Sequence, residues 1–219
     1  MYKILKRLFD FVLAAVVLIL LLPIFIPVIL ILSITGEKEV FYLQNRVGFK
    51  NKPFKIWKFA TMLKDSENIG MGSITVSDDP RVFPFGSFLR KTKINELPQV
   101  INVLIGNMSV VGPRPLMLVD FQKYDLELQK TVYNCKPGIT GIGSIVFRDE
   151  QKMISNTNMD PQEYYLKHII PYKGMLETWY QENASLLVDF KIIFLTGWVI
   201  FFPNSNLHTY FFYDLPKRP

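Results

Sequence analysis

A carboxylate stands at a predicted helix start near the middle of the chain, in the sequence Asn95-Glu96 with Pro98 close behind. Asn95 fits the N-cap position, and Pro98 is tolerated in a first turn whose N–H groups have no intrahelical partner. Because a helix N-terminus attracts anions, Glu96 at this end can hold a divalent cation that in turn holds a phosphate. Simple capping, with Glu96 favoured by the helix dipole, is the alternative that the residues leave open.

An arginine between two prolines follows, in Gly112-Pro113-Arg114-Pro115. The prolines fix φ on both sides of Arg114 and favour an extended backbone there. A guanidinium held in one place suits bidentate contacts with phosphate. Because an ordinary surface turn does not need both prolines, this segment predicts a phosphate-binding arginine.

Two other stretches are weaker candidates. Asp79-Pro80-Arg81 carries a charge pair, but Asp before Pro is also a common helix entry. The glycine-rich KPGITG run at 136–141, with Arg148 after it, lets a ligand approach the backbone closely. The chain contains no Walker loop and no dinucleotide fingerprint, so these candidates do not belong to the common nucleotide-binding motifs.

The elements that must position these residues are short. The pattern predicts strands at 40–43, 54–59 and 110–111, with a polar turn at 48–53, a loop at 68–80 and a Pro/Gly turn region at 136–143. Helices are expected at 86–91, from Asn95 to Gly106, at 116–130, and from Asp160-Pro161 to about residue 200. This predicts an α+β fold, a small compact domain that is mostly helical with short strands.

Residues 11–36 form an uncharged run that is long enough to cross a bilayer. As a helix it would measure about 39 Å, against a hydrocarbon core of about 30 Å. Two features favour a segment that enters the membrane, bends and returns: Pro23 and Pro27 interrupt it, and both flanks are basic, whereas the positive-inside rule asks for one basic side. A kinked transmembrane helix is the alternative. Arg7 and Asp10, three residues apart, could neutralise each other at the interface. The alternative is that Asp10 is a solvated residue at the entry turn.

Charge and composition further restrict the class of protein to which this chain can belong. The net charge is +6, and the first 60 residues carry all of it. Excess positive charge beside a long apolar run points to anionic lipid or phosphate at a membrane surface, and argues against a nucleic-acid-binding face. One cysteine excludes an internal disulfide framework and a cysteine-based zinc site, and two histidines far apart in the sequence argue against a histidine-rich metal site. The apolar residues 192–202 and the aromatic residues 210–213 fit either an interfacial helix or a buried core helix.

Several stretches together carry a family resemblance: KRLFD at 6–10, QNRVGFKNKPFKIWKFATM at 44–62, DPR at 79–81, FLRKTKINELPQVINVLIGNMSVVGPRPL at 88–116, KPGITG at 136–141 and LLVDFKII at 186–193. In these the chain resembles the bacterial sugar transferases, the small monotopic phosphoglycosyl transferases that initiate glycoconjugate assembly. The resemblance covers nearly the whole chain.

The resemblance implies that a phosphosugar moves from a UDP-sugar to polyprenyl (undecaprenyl) phosphate with Mg²⁺, releasing UMP. It implies a re-entrant membrane helix at 1–36 and a catalytic domain at 37–219 with membrane-surface helices. That domain would face the cytoplasm at the bacterial inner membrane, in contact with membrane lipid, and downstream glycosyltransferases are possible partners.

The resemblance also assigns residues. The family's active site is an Asp-Glu pair, whose Asp attacks the sugar-linked phosphate to give a covalent phosphosugar intermediate and whose carboxylates help to hold the metal. The positions of this pair are Asn95 and Glu96 here. Since an amide is a poor nucleophile and a poor ligand, catalysis and metal binding would pass to Glu96. Either Glu96 attacks the donor, or the lipid phosphate attacks it directly.

The remaining family positions concern substrate binding. Arg114, with Pro113 and Pro115, falls on a motif associated with the nucleotide end of the donor. Arg148 falls on an arginine associated with phosphate, and Asp79 and Arg81 form a further substrate-binding candidate. A catalytically impaired relative that binds lipid phosphate as a scaffold in a glycan-assembly complex is the alternative to an enzyme.

Overall fold

The computed structural model describes residues 1–64, 79–155 and 157–218. These residues form an α+β structure, mostly helical with short strands, as predicted. Residues 68–78 of the predicted loop lie outside the described residues.

Helix α1 spans Tyr2–Ile34 and is continuous through Pro23 and Pro27. Thirty-three residues correspond to about 50 Å at 1.5 Å per residue. Among the described residues it is the one helix long and apolar enough to cross a membrane by length and composition. The bend predicted near Pro23 stays a prediction.

Strands β1 (Phe41–Val47) and β2 (Pro53–Phe59) form an antiparallel hairpin. Both are longer than predicted, and a short turn at Phe49–Asn51 joins them. Gln44 pairs with Ile56, Arg46 with Phe54, and Tyr42 with Lys58. Because side chains alternate along a strand, Gln44, Arg46 and Lys58 share one face of the hairpin.

Helix α2 spans Pro84–Lys91, and α3 spans Gln99–Ile105. The helix expected to start at Asn95 therefore begins four residues later, and Asn95 is not its N-cap. Ile94–Glu96 instead form a separate turn of 3₁₀ helix before Pro98. Gly106 ends α3 with a φ of 91°, as its position in the sequence predicted.

Strands β3 (Ser109–Val111) and β4 (Gly138–Thr140) pair in parallel. The first was predicted; the second lies inside the stretch predicted to be a turn region. Glycine permits this pairing, since a Cβ at Gly138 would collide with the backbone of Gly112, and one at Gly112 with the backbone of Lys136. The Gly-Pro-Arg-Pro segment and the KPGITG segment thus touch backbone to backbone.

The predicted helix at 116–130 is two short helices, α4 (Leu118–Phe121) and α5 (Leu126–Thr131). Asp125 separates them, because its side chain caps α5 by accepting from the N–H of Leu128 at 2.7 Å. The helix start at Asp160 is confirmed: Asp160 accepts from the N–H groups of Gln162 and Glu163. The remaining helices are α6 (Ile142–Val146), α7 (Glu150–Ser155), α8 (Pro161–Tyr164) with a π-helical turn at Tyr165–Ile169, α9 (Ile170–Asn183), α10 (Leu186–Phe201) and α11 (Leu207–Phe211).

Helix α1 packs along the rest of the molecule over its whole length. Its buried residues Ala14, Phe25, Val28 and Leu32 share one hydrophobic cluster with β2, α2 and α3. The ring of Phe25 meets that of Phe59 edge to face at 5.2 Å. A second cluster joins α6, α9 and α10, and a third surrounds Tyr133.

Polar contacts fix the N-terminal end of α1. Lys6 pairs with the buried Asp189 of α10 at 2.8 Å. Arg7 donates to the carbonyls of Val103 and Leu104 near the end of α3, and Asp10 accepts from the N–H of Val110. The predicted mutual pairing of Arg7 and Asp10 is therefore wrong: each side chain binds the backbone of a neighbouring element instead, which satisfies groups that would otherwise be buried unpaired.

Candidate active site

A cavity of about 300 Å³ lies between α1 and the hairpin, and two different walls enclose it. One wall is apolar and comes from α1: Leu13, Ala14, Val17 and Leu21. The charged side chains that line the cavity, among the residues that the structure describes, lie on the other wall: Arg46, Lys58, Lys93, Glu96 and Arg114. Four cations and one carboxylate therefore face an apolar surface contributed by the long hydrophobic helix.

The 3₁₀ turn presents Glu96 to this cavity and turns Asn95 away from it. Lys93 precedes the turn with a left-handed φ of 61°, a conformation that costs a non-glycine residue energy and that cavities and functional sites often contain. Glu96 is half-buried and lines the cavity. Asn95 is buried, does not line it, and its Oδ1 has no hydrogen-bond partner. Of the predicted pair, only Glu96 is placed to touch a ligand in the cavity.

Arg46 and Lys58 form a cationic pair on the hairpin face. Burial and the nearby charge of Arg114 lower the pKa of Arg46. Burial, with the charges of Arg46 and Arg114, lowers the pKa of Lys58 to about 8, although Glu96 acts in the opposite sense. The Nε of Arg46 is buried with no hydrogen-bond partner. Crowded cations and an unused donor are an arrangement that an anion would stabilise.

Arg114 is exposed between two buried prolines, and Pro115 also lines the cavity. The backbone around it is held on both sides. Tyr133 donates its hydroxyl to the carbonyl of Arg114 at 2.8 Å, and Arg46 donates to the carbonyl of Pro115 at 3.3 Å. The carbonyl of Pro113 accepts from the N–H of Gly138. The rigidity predicted from the two prolines is thus reinforced by hydrogen bonds.

The other candidate residues lie elsewhere. Asp79 and Arg81 are both buried and bind each other, with Arg81 Nη2 donating to Asp79 Oδ2 at 2.6 Å and Arg81 Nε to Asp79 Oδ1 at 2.9 Å. The Arg81 guanidinium lowers the pKa of Asp79 to about 2. Arg148 is exposed after α6, and neither it nor the Asp79–Arg81 pair lines the cavity. Their substrate-binding roles stay predictions.

Glu96 is the one carboxylate that lines the cavity, and no group of three or more acidic, histidine or cysteine side chains occurs among the residues described. Such a set does not make a metal cage. It does fit Mg²⁺, which keeps several waters and is commonly held by one or two carboxylates together with substrate phosphates. Glu96 would be the protein ligand.

The motifs of the sequence did not identify Arg46, Lys58, Lys93 or the α1 wall as site residues. Arg46 and Lys58 come together only through the register of the hairpin, so the usable signal was the alternation of Gln44 and Arg46 on β1. The α1 wall depends on how the helix packs against α3, which no local pattern contains.

Comparison with known proteins gives a family and several relatives. A family model described as Bacterial sugar transferase matches residues 1–203. The UDP-glucose:undecaprenyl-phosphate glucose-1-phosphate transferase of Escherichia coli (strain K12) is 36% identical over 197 residues, covering 89% of this chain and 39% of that protein. The chain therefore spans well under half the length of this relative.

Two shorter relatives match over most of their own length. Exopolysaccharide production protein ExoY of Sinorhizobium fredii (strain NBRC 101917 / NGR234) is 31% identical over 205 residues, covering 87% of this chain and 83% of that protein. An uncharacterized sugar transferase, EpsL of Bacillus subtilis (strain 168), is 35% identical over 193 residues, with 88% and 85% covered. With matches that run through the cavity-lining segments from α1 to Arg114, the chain belongs to the bacterial sugar transferase family.

Proposed function

We propose that this protein is a membrane phosphoglycosyl transferase that moves a phosphosugar from a UDP-sugar to polyprenyl (undecaprenyl) phosphate and releases UMP. This would be the first membrane step of glycoconjugate, lipopolysaccharide or exopolysaccharide assembly. The observation that carries the proposal is the two-walled cavity, with cations and Glu96 on one side and the apolar face of α1 on the other. The names of the E. coli and S. fredii relatives support the acceptor and the pathway class.

The two walls match the two ends of the acceptor. A polyprenyl phosphate has an anionic head and a hydrocarbon tail, so its binding requires both kinds of surface in one cavity. The tail would lie against Leu13, Ala14 and Val17, while Arg46 and Lys58 attract the phosphate. Burying apolar tail surface stabilises binding by roughly 25 cal/mol per Å², and the cations supply charge-assisted hydrogen bonds.

The donor diphosphate would be held by Arg114, whose backbone carbonyl is bound by Tyr133 and whose side chain lines the cavity. In the transfer, an oxygen nucleophile attacks the sugar-linked phosphorus, and the bond to the oxygen shared with the other phosphate breaks. UMP leaves with that electron pair. The nucleophile is either the Glu96 carboxylate, giving a phosphosugar on Glu96 that the lipid phosphate then displaces, or the lipid phosphate itself.

Both routes use the cations of the site in the same way. Arg46, Lys58 and Arg114 would neutralise charge that builds up on the phosphate oxygens, and their fixed positions make that stabilisation available without reorganisation. Mg²⁺, when bound to Glu96 and the donor phosphates, would add Lewis-acid stabilisation of the leaving UMP.

The packing of α1 supports a re-entrant arrangement. The N-terminal end binds α3 and α10 through Arg7 and Lys6, and its C-terminal half packs on Phe59 of the same unit. A helix standing across the bilayer would leave this unit at one end only. The opposite face of α1 exposes apolar side chains, and Phe9 continues that surface onto Phe190 of α10, 4.9 Å away. Residues 1–36 would thus dip into the bacterial inner membrane, and residues 37–219 would form the cytoplasmic catalytic domain with α10 and α11 at the lipid surface.

Release of UMP tests the proposal. Purified full-length protein in lipid nanodiscs would be given undecaprenyl phosphate, Mg²⁺ and a panel of UDP-sugars, with Glu96→Gln as the matched inactive control. We expect UMP with at least one donor, dependent on the lipid phosphate. Absence of UMP with every donor, together with retained binding of lipid phosphate, would favour the scaffold instead.

A further inference from the structure

Tyr133 holds the backbone of the arginine motif with one buried hydroxyl. Its Oη donates to the carbonyl of Arg114 at 2.8 Å and accepts from the N–H of Leu116 at 2.8 Å. The residue is 1% exposed. Tyr133 lies 19 residues after Arg114, in the loop between α5 and β4. The Gly-Pro-Arg-Pro sequence therefore does not predict this contact.

The two prolines create the need for this contact. Pro113 and Pro115 have no N–H, so the segment cannot tie itself into a strand or helix by donating at those positions. Its carbonyls and the N–H of Leu116 must therefore find partners from outside. The N–H of Gly138 donates to the carbonyl of Pro113, and Arg46 donates to the carbonyl of Pro115. The Tyr133 hydroxyl donates to the carbonyl of Arg114 and accepts from the N–H of Leu116, the groups on either side of Pro115.

Tyr133 is itself rigidly placed. Its ring stacks on that of Phe121 at 5.8 Å, and its carbonyl accepts from the N–H of Lys50 at 2.8 Å. Burial raises the pKa of the phenol, so the hydroxyl remains protonated and keeps donating across the whole working pH range. Because its ring and its backbone are held and its hydroxyl stays protonated, Tyr133 is suited to hold the Arg114 segment in one position.

We infer that Tyr133 is a positioning residue that sets the place of the Arg114 guanidinium at the cavity rim for the diphosphate of the donor. It acts through Arg114 and does not touch the substrate. The inference rests on the proposed function for the identity of the ligand. The clamp itself is a property of the fold.

A double-mutant cycle separates this role from a general structural one. Tyr133→Phe keeps the ring and removes the two hydrogen bonds. We expect kcat/KM for the donor to fall about tenfold, which lies within the net free energy that two hydrogen bonds contribute. In an Arg114→Ala background the same change should lower kcat/KM less than twofold, because the group being positioned is gone. Equal losses in both backgrounds would overturn the inference.

Tyr124→Phe is the matched control. Tyr124 is a buried tyrosine of the same hydrophobic cluster, and we expect its variant to retain wild-type kcat/KM. Hydrogen–deuterium exchange tests the hydrogen bonds of the Tyr133 hydroxyl without any catalysis. The amide of Leu116 should exchange faster in Tyr133→Phe than in wild type, and at the wild-type rate in Tyr124→Phe. An unchanged Leu116 amide in Tyr133→Phe would show that the clamp does not form.

The cycle can also be run on binding, which distinguishes failure of this inference from failure of the proposed reaction. UDP is the probe, and its Kd replaces kcat/KM in the same four proteins. If wild type binds UDP but transfers nothing, the proposed function fails while a non-additive cycle in Kd still supports the role of Tyr133. If wild type does not bind UDP, or the cycle is additive, the positioning role is refuted.

Discussion

Arg46 and Lys58 donate to the same atom, the Oε1 of Gln44, at 2.7 and 3.0 Å. One amide oxygen thus holds two cations side by side on the hairpin face that lines the cavity. The shared acceptor offsets only part of their repulsion, because the pKa of Lys58 still falls to about 8 from an ordinary 10.5. The cavity therefore carries a charge that can be lost at mildly alkaline pH.

Donor or acceptor binding should weaken as the pH rises through about 8. Lys58 is protonated below its folded pKa and neutral above it, so the attraction for phosphate is present at pH 7 and lost towards pH 9. Measuring KM for the donor and for the acceptor against pH checks this. Lys58→Arg keeps the charge to high pH and should move the rise in KM upward, whereas Lys58→Met should have a high KM at every pH. Parallel pH profiles for wild type and Lys58→Arg would contradict the role of Lys58.

Stability should change with pH in the opposite sense. The folded-state pKa of Lys58 lies below the unfolded value, so protonating the buried amine opposes folding at all pH values below about 8. The penalty fades as the pH rises from about 8 towards 10.5. Relative to wild type, Lys58→Met should therefore raise Tm more at pH 7 than at pH 10. A pH-independent difference in Tm would show that Lys58 is not the group involved.

Glu96→Gln should abolish transfer. The substitution keeps the size of the side chain but removes the negative charge of the one carboxylate that lines the cavity among the described residues, and with it the means to attack phosphorus or bind Mg²⁺. UMP release measures the loss, and an unchanged Tm would show that the fold survives. A phosphosugar adduct on the Glu96 peptide, found by mass spectrometry in wild type, would select the covalent route. A Glu96→Gln variant that turns over normally would refute the assignment.

Asn95→Ala should leave both stability and activity close to wild type. Asn95 does not cap α3, and its Oδ1 makes no hydrogen bond, so removing it loses little. We expect the free energy of unfolding to fall by less than about 1 kcal/mol, since the amide oxygen is already buried unpaired. Denaturant unfolding and UMP release check the two parts. A folded but inactive Asn95→Ala variant would return the catalytic role to Asn95.

Local sequence signals predicted those parts of the fold that local chemistry determines. The strand-like run at 54–59 marked β2, glycine marked the end of α3 at Gly106, and Asp160 marked a helix start. The errors have physical causes. Strand β4 was missed because its three residues are stabilised by close backbone approach to Gly112, and α3 starts late because Pro98 separates it from the 3₁₀ turn.

The site divides in the same way. Glu96 and Arg114 were identified from their own neighbours, and the structure brings both to one cavity. Arg46, Lys58 and Ala14 could not be identified, because their roles depend on strand register and on the packing of α1, which are long-range properties. Asn95 was assigned a cap from residue type, but it lies inside the 3₁₀ turn that follows Lys93, and Pro98 stands at the N-cap position of α3.

Ala14→Leu should impair use of the lipid acceptor selectively. Ala14 is 2% exposed and belongs to the apolar wall, so a larger side chain there would fill part of the space assigned to the polyprenyl tail. We expect KM for undecaprenyl phosphate to rise at least tenfold with little change in KM for the donor. Overpacking can cost about 1–3 kcal/mol, so Tm is measured in parallel. Ala15→Leu, one residue along the same helix and outside the cavity lining, is the control. Equal effects of the two substitutions on KM for the acceptor would show that the polyprenyl tail does not lie against this wall.

Both ends of α1 should be accessible from the cytoplasmic face alone. Lys3 is exposed before the apolar run, and Lys52 is exposed after it. Single cysteines at these two sites would be labelled with a membrane-impermeant maleimide in spheroplasts and in inside-out vesicles. Burial raises the pKa of the native Cys135 thiol to about 12, so it stays protonated and unreactive, and the unsubstituted chain measures its background.

The expected result follows from where the two ends of α1 bind. Arg7 binds the end of α3, and Leu32 packs in the same hydrophobic cluster as α3, so one globular unit holds both ends of the helix. Only a helix that returns to its side of entry, or lies in that leaflet, satisfies both contacts. Labelling at Lys3 and Lys52 should therefore occur in inside-out vesicles and not in spheroplasts. Labelling of the two sites from opposite faces would establish a transmembrane helix and would require the contacts of Arg7 or Leu32 to break in the membrane.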